Sequence, residues 1–157
     1  MTFVITAPVS GDIVAMRDVP DPVFSASMVG PGAAIEPFQG GLTVIAPCAG
    51  IVRKAKAHGF VIEAKGEMGV LIHLGLDTYE LDGEGFDVLV KEGQEVAQGQ
   101  PIVLWNTSVA ADAGYSLCTP VVVIGAGAGA IKVVAQGPKV EAGKPFLEVG
   151  CWGEDAE

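Results

Sequence analysis

The chain has 157 residues, half of them hydrophobic, with 22 glycines and 10 prolines; that is enough for one domain with a proper core and points away from a disordered or fibrous protein. Nineteen acidic against nine basic residues leave a formal net charge of −10. So acidic a chain is poorly suited to gripping a phosphate backbone, which sets nucleic acid aside and leaves a basic protein partner or, as the blander and favoured reading, solubility alone.

The N-terminal stretch MTFVITAPVSGDIV lacks a basic region followed by a long apolar core, and no apolar run reaches the length of a membrane span. The expectation is a cytoplasmic protein with no direct membrane insertion. Cys48, Cys118 and Cys151 are odd in number and far apart, which argues against a disulfide framework and against a thiolate zinc knot.

In chain order, short apolar stretches alternate with turn signals. They are FVITAPVSGDIV, LTVIAPCAGIVRKAKA, HGFVIEAK, GVLIHLGL, FDVLV, PIVLW, PVVVIGAG, AIKVVA and FLEVGCW. Runs this short, punctuated by Gly and Pro, predict an all-β chain: an antiparallel sandwich or barrel-like fold with short helical turns. VAADAGYS, after Asn106, reads as one helical turn or two.

Two internal echoes accompany this pattern. APVSGDIV at 7–14 resembles APCAGIV at 46–52, and GQEVAQGQPIVLW at 93–105 resembles GPKVEAGKPFLEV at 137–149. The second form is a tight turn, one buried valine, another turn, and a proline opening a strand whose first N–H needs no partner. The echoes suggest related hairpin units packed face to face. They do not make a solenoid, because the period is not sustained.

The chain holds two histidines, His58 and His73. His73 interrupts the apolar run GVLIHLGLD, where an imidazole is out of place. With an even-length turn at Ala64–Glu67, Phe60 is expected opposite Leu71 and His58 directly opposite His73, close enough for the rings to touch. A pair of core histidines satisfied by carbonyls is one reading. Two facing imidazoles cannot readily both be charged, so the alternatives are nucleophilic catalysis, metal binding or holding a phosphoryl group. Gly75 permits close approach of a backbone or marks a bulge. Asp77 is a turn starter or a partner for a cation.

The segment GVLIHLGLDTYELDGEGFDVLVKEGQEVAQGQPI resembles the enzyme IIA domain of the glucose family in the bacterial sugar phosphotransferase system. SGDIVAMRDVPDPVFSASMVGPGAAIEP, IAPCAGIV, the HGF strand and CTPVVVI match in the same order, so the resemblance runs over nearly the whole chain, taken as one domain, 1–157. It implies a compact antiparallel β-sandwich with a shallow apolar depression around two histidines. His73 then accepts a phosphoryl group on Nε2 from the phosphocarrier protein HPr and passes it to a cysteine of the sugar-specific EIIB domain of an EIIB/EIIC permease. By the same resemblance His58 is its neighbour, Gly75 supplies the carbonyl that ties Nδ1, Asp21 and Asp77 meet HPr's arginine, and Val23 and Phe24 form an apolar rim. No metal and no cofactor are implied. Lys56 stands where many members have a threonine, and the segment RKAKAH is about two residues shorter than in the enterobacterial form.

Two rivals come from other classes. A zinc-dependent β-sheet hydrolase using His58 and His73 needs a third ligand, and no His-x-His occurs. A biotinyl or lipoyl carrier, suggested by EGQEVAQGQP, needs a lysine in a tight hairpin motif that the sequence lacks.

Overall fold

A computed structural model describes residues 2–150 of the chain; Cys151 lies outside the described residues. The first part of the chain forms β1 (Thr2–Thr6), β2 (Gly11–Ala15), α1 (Pro22–Ser25), β3 (Gly32–Pro37), β4 (Gly41–Ile45), β5 (Gly50–Lys56), β6 (Gly59–Ala64) and β7 (Met68–His73). The second forms β8 (Phe86–Val88), β9 (Glu95–Val96), β10 (Pro101–Asn106), α2 (Thr107–Asp112), β11 (Thr119–Ile124), β12 (Ile131–Val133), β13 (Lys139–Val140) and β14 (Pro145–Gly150). Every strand pair is antiparallel. An eight-stranded sheet runs β13-β2-β3-β11-β7-β6-β5-β9, with two three-stranded sheets, β1-β14-β12 and β4-β10-β8.

Period-two alternation explains the layers. Phe60 and Ile62 from β6, Val70 and Ile72 from β7, and Val121 and Val123 from β11 point to one face of the large sheet. They share a single core with Ile5, Val44, Ile102, Trp105, Phe146 and Val149 of the small sheets. Each such side chain contributes about 1.5–3 kcal/mol on burial, so this core dominates the stability. The other face of the large sheet carries a smaller cluster, in which Met16, Val19 and Phe24 from the β2–β3 connection cover Ala34, Leu76, Cys118 and Val122. That second cover is why β11 reads as an unbroken apolar run: it is buried on both faces. Cys48 and Cys118 are buried free thiols, and burial pushes each thiol up to about 12.

The internal echoes are realised as matching pieces of the sheet. β13 and β9 form its two ends, followed inward by β2 and β5. Val140 pairs with Gly11 as Val96 pairs with Gly50. The residue before each Ala-Pro donates to the proline carbonyl of the other echo, Thr6 N–H to Pro47 and Ile45 N–H to Pro8, both at 3.0 Å. The two halves therefore meet through reciprocal backbone bonds. β14 and β10 each open on the proline of the second echo and lie beside β1 and β4.

Two expectations need correction. β3 was not among the expected strands: GAAIEP has little β-branched character, and the sheet imposes extension on it by pairing it with both β2 and β11. The β6–β7 hairpin closes Ala64 on Met68, so its loop is three residues rather than four. Gly66, at φ 79°, makes that tighter loop possible. The register moves by one: Phe60 faces Ile72, not Leu71, and Gly59 rather than His58 faces His73.

The glycines of the first echo are sites of close approach. A Cβ on Gly11 would lie 2.2 Å from the Glu36 carbonyl oxygen, and one on Gly50 would lie 2.3 Å from that of Glu63. Gly11→Ala and Gly50→Ala are each expected to lower the unfolding free energy by about 1–3 kcal/mol, the usual cost of overpacking. Urea denaturation checks this, and an unchanged midpoint for both would contradict the packing.

Candidate functional site

His73 is the last residue of β7 and lies on the face opposite the main core, next to Leu71 in the alternation. β7 has no continuous outer cover at this end, so an imidazole there is half-buried rather than entombed. Its Nδ1 is 2.5 Å from the Gly75 carbonyl oxygen, so Nδ1–H donates and Nε2 is left unprotonated. Gly75 sits at φ +81°, and a Cβ there would lie 2.6 Å from Thr78 Cγ2 and 2.8 Å from the Ser116 oxygen. Buried Thr78 donates its hydroxyl to the Leu74 carbonyl at 2.7 Å, and Leu76 N–H donates to Ser116 at 3.0 Å. The tautomer of His73 is thus set by a loop held at several points.

His58 belongs to no strand. It lies in the two-residue turn between β5 and β6, and its carbonyl accepts from Leu74 N–H at 2.7 Å. Alternation alone would have sent it to the core face with Phe60 and Ile62; the turn instead swings the ring onto the His73 face. The ring centroids are 5.3 Å apart. The two histidines meet as expected, by a different route.

Phe24 presents its ring to His73 edge-on at 5.5 Å. It is only 8 % exposed, whereas Val23 is 47 % exposed. Of the two expected rim residues, Phe24 is a wall packed on the imidazole and Val23 faces outward. Asp21 caps α1, accepting from Val23 N–H at 2.9 Å. Asp77 is left-handed at φ 61°, a conformation Asp and Asn tolerate better than most residues. Tyr79, not singled out in the sequence, packs against His58 with centroids 6.2 Å apart. Its only signal there was an aromatic two residues past Asp77.

Burial lowers the pKa of His73 below its ordinary 6.5, opposed by the Gly75 hydrogen bond and by the charges of Asp21 and Asp77. His58 is also lowered, first by burial and then by the charges of His73 and Lys56. Both shifts favour the neutral ring, and in that form His73 offers a lone pair on Nε2. A depression of about 160 Å³ beside them is lined by Lys54, Lys56, His58, Gly59, Phe60, Val61, Leu71 and His73. A larger open cleft, about 490 Å³, lies away from the histidines against β4, β8 and β10, with Asp87 its single ionisable side chain. The larger cleft is thus not the one that holds the paired histidines. Among the described residues, no group of three or more His, Cys, Asp and Glu side chains is placed to hold a metal ion. A hydrolytic zinc centre therefore lacks its donor set.

An antiparallel β-sandwich bearing two adjacent imidazoles, one with a fixed tautomer, defines a protein suited to nucleophilic group transfer. The chain belongs to the family described as the phosphoenolpyruvate-dependent sugar phosphotransferase system, EIIA 1, whose model matches residues 3–129. It is 40% identical over 121 residues to a glucose-specific EIIA component of Staphylococcus aureus (strain COL), covering 76% of this chain and 72% of that protein. It is also 40% identical over 148 residues to a glucoside-specific EIICBA component of Staphylococcus carnosus (strain TM300), spanning 93% of this chain but 21% of that protein. Among solved structures, the glucose permease IIA of Mycoplasma capricolum superposes with a TM-score of 0.83 at 32% identity, covering 94% of this chain and 96% of that one. The M23 metalloprotease pseudoalterin matches at a TM-score of 0.50 and 10% identity, a likeness of fold alone. No helix of the described residues is long and apolar enough to cross a membrane.

Because both histidine pKa values lie below 6.5 in the folded state, the unfolded chain binds more protons just below that pH. Their contribution to stability is complete above about pH 6.5 and is lost as pH falls through the folded values. ¹⁵N NMR titration is expected to give midpoints below 6.5 for both rings, with His73 carrying its proton on Nδ1 at pH 7. A midpoint above 6.5 for either ring, or an Nε2–H tautomer of His73, contradicts the geometry.

Proposed function

We propose that residues 1–157 act as one EIIA domain, a cytoplasmic phosphocarrier that takes a phosphoryl group from phospho-HPr on His73 and passes it to a cysteine of a sugar-specific EIIB domain of an EIIB/EIIC permease. The observation that carries this reading is the His73 Nδ1–Gly75 bond beside the second imidazole. With Nδ1–H engaged, the Nε2 lone pair attacks the phosphorus of the donor's phosphohistidine. The new Nε2–P bond forms as the donor N–P bond breaks, and that electron pair stays on the donor imidazole. In the second step a thiolate attacks the same phosphorus and His73 leaves as the neutral imidazole, its proton still on Nδ1 and donated to the Gly75 carbonyl. Such transfers pass through a loose in-line transition state, so positioning and hydrogen bonding to the equatorial oxygens do most of the catalysis. His58 donates one of those bonds, chiefly in the onward step. Phe24 and the cover of the second apolar cluster keep water from one side of the phosphorus.

Incubated with enzyme I, HPr and phosphoenolpyruvate, the protein is expected to gain one acid-labile phosphate by intact mass, and His73→Ala to gain none. Phosphate retained by His73→Ala would refute the acceptor assignment.

Asp21 and Asp77 act on His73 through charge, and we read them as the carboxylates that meet HPr's arginine. Asn keeps the α1 cap at position 21 and tolerates the left-handed backbone at 77, so Asp21→Asn with Asp77→Asn removes charge while sparing the fold. Charges of this kind govern encounter more than affinity, and screening at about 0.1 M salt acts over roughly 10 Å. The double variant is expected to be phosphorylated more slowly by HPr at low salt, with a flatter salt dependence, in stopped-flow transfer. A wild-type rate at low salt would move the docking face elsewhere.

A further inference from the structure

The β5–β6–β7 register places three residues in one cross-strand row: Lys56 faces Gly59, and Gly59 faces His73. Lys56 is exposed and, with His73, lines the depression described above. Strands are spaced about 4.8 Å, so the Lys56 and His73 backbones are separated by about 10 Å. Between them stands the one residue with no side chain. A Cβ on Gly59 would lie 3.7 Å from His73 Cδ2, the ring carbon bonded to Nε2. With Nδ1 turned to Gly75, the Cδ2–Nε2 edge of the ring lies by this empty lane.

The charges also call for a cation here. Asp21 and Asp77 both act on His73, and burial lowers the pKa of neighbouring His58, which disfavours its cation. A phosphoryl dianion on Nε2 would meet two carboxylates, with a single imidazole, His58, as its neighbouring donor. Lys56 is close enough for its charge to act on His58.

We propose that Lys56 is the phosphate-binding cation of this site, its ammonium reaching over Gly59 to hydrogen-bond the phosphoryl oxygens once the group is on His73 Nε2. This rests on His73 being the acceptor. Lys56 takes part in no bond making or breaking and keeps its proton; it stabilises the charge of the phosphorylated state through charge-assisted hydrogen bonds. Lys54 is the internal control. It is exposed, carries the same charge and lines the same depression, but its row runs through Val61 and Leu71, whose side chains fill the lane.

The test is the equilibrium of phosphoryl exchange with phospho-HPr, read as the phosphorylated fraction by intact mass across HPr ratios, together with the ³¹P resonance of the phosphohistidine. Lys56→Gln is expected to lower the exchange constant about two- to fivefold, the range for one solvent-exposed ionic contact, while Lys54→Gln changes it less than about 1.5-fold. The ³¹P resonance should move in Lys56→Gln alone, and Lys56→Arg should restore the constant. An unchanged constant in Lys56→Gln overturns the proposal, as do equal losses in the two glutamine variants, which would reveal only a diffuse field. A wild-type protein that takes no phosphate would overturn the acceptor reading itself, a failure visible before any lysine is changed.

Discussion

The bond from His73 Nδ1–H to the Gly75 carbonyl is the constraint on which the site depends. An imidazole has two nitrogens of similar basicity, and a free ring would divide its lone pair between them. Here the backbone two residues on makes the choice. That carbonyl is aimed correctly because residue 75 adopts a positive φ in a space that Thr78 and Ser116 leave too small for any side chain. Thr78 in turn ties its hydroxyl to Leu74. A sequence of small local necessities, Gly-Leu-Asp-Thr, thus ends in one chemical result, a fixed tautomer that leaves the lone pair on Nε2.

The second consequence concerns where such a ring can exist. The large sheet is built from two similar halves, yet its outer face is covered unevenly. The β2–β3 connection is long and lays Met16, Val19 and Phe24 across β3 and β11. The β5–β6 connection is only two residues, and it leaves the end of β7 open. His73 stands at the border, with Phe24 on one side and the lysine row on the other. Partial burial lowers its proton affinity, and the nearby carboxylates limit how far. The difference in connection length is what leaves the two histidines on an incompletely covered face in one half of a near-symmetric sheet.

Much of this was legible in the sequence. Apolar runs broken by Gly and Pro gave the strands, because a half-buried strand must alternate and a doubly buried one need not. The echoes gave the turn, buried valine, turn and proline units, because positive-φ glycines and ladder-free prolines are local requirements. His73 stood out as an imidazole in an apolar run, while the parts given to Gly75 and Asp77 came from the family resemblance; by themselves those residues read only as a close approach or bulge and as a turn starter or a partner for a cation. What only the tertiary structure decided was register and burial. GAAIEP has no strand signal of its own and is extended because two neighbours pair with it. The three-residue loop at 65–67 moved the hairpin by one position, and in a sheet one position exchanges the faces. His58 reached His73 despite that shift, because a turn residue is not bound by the alternation of the strands it joins. Phe24 became a wall and Val23 an outward side chain according to which side of a single helical turn met the sheet. Local conformation is written residue by residue, whereas faces and neighbours follow from which strands pair and how long the chain between them is.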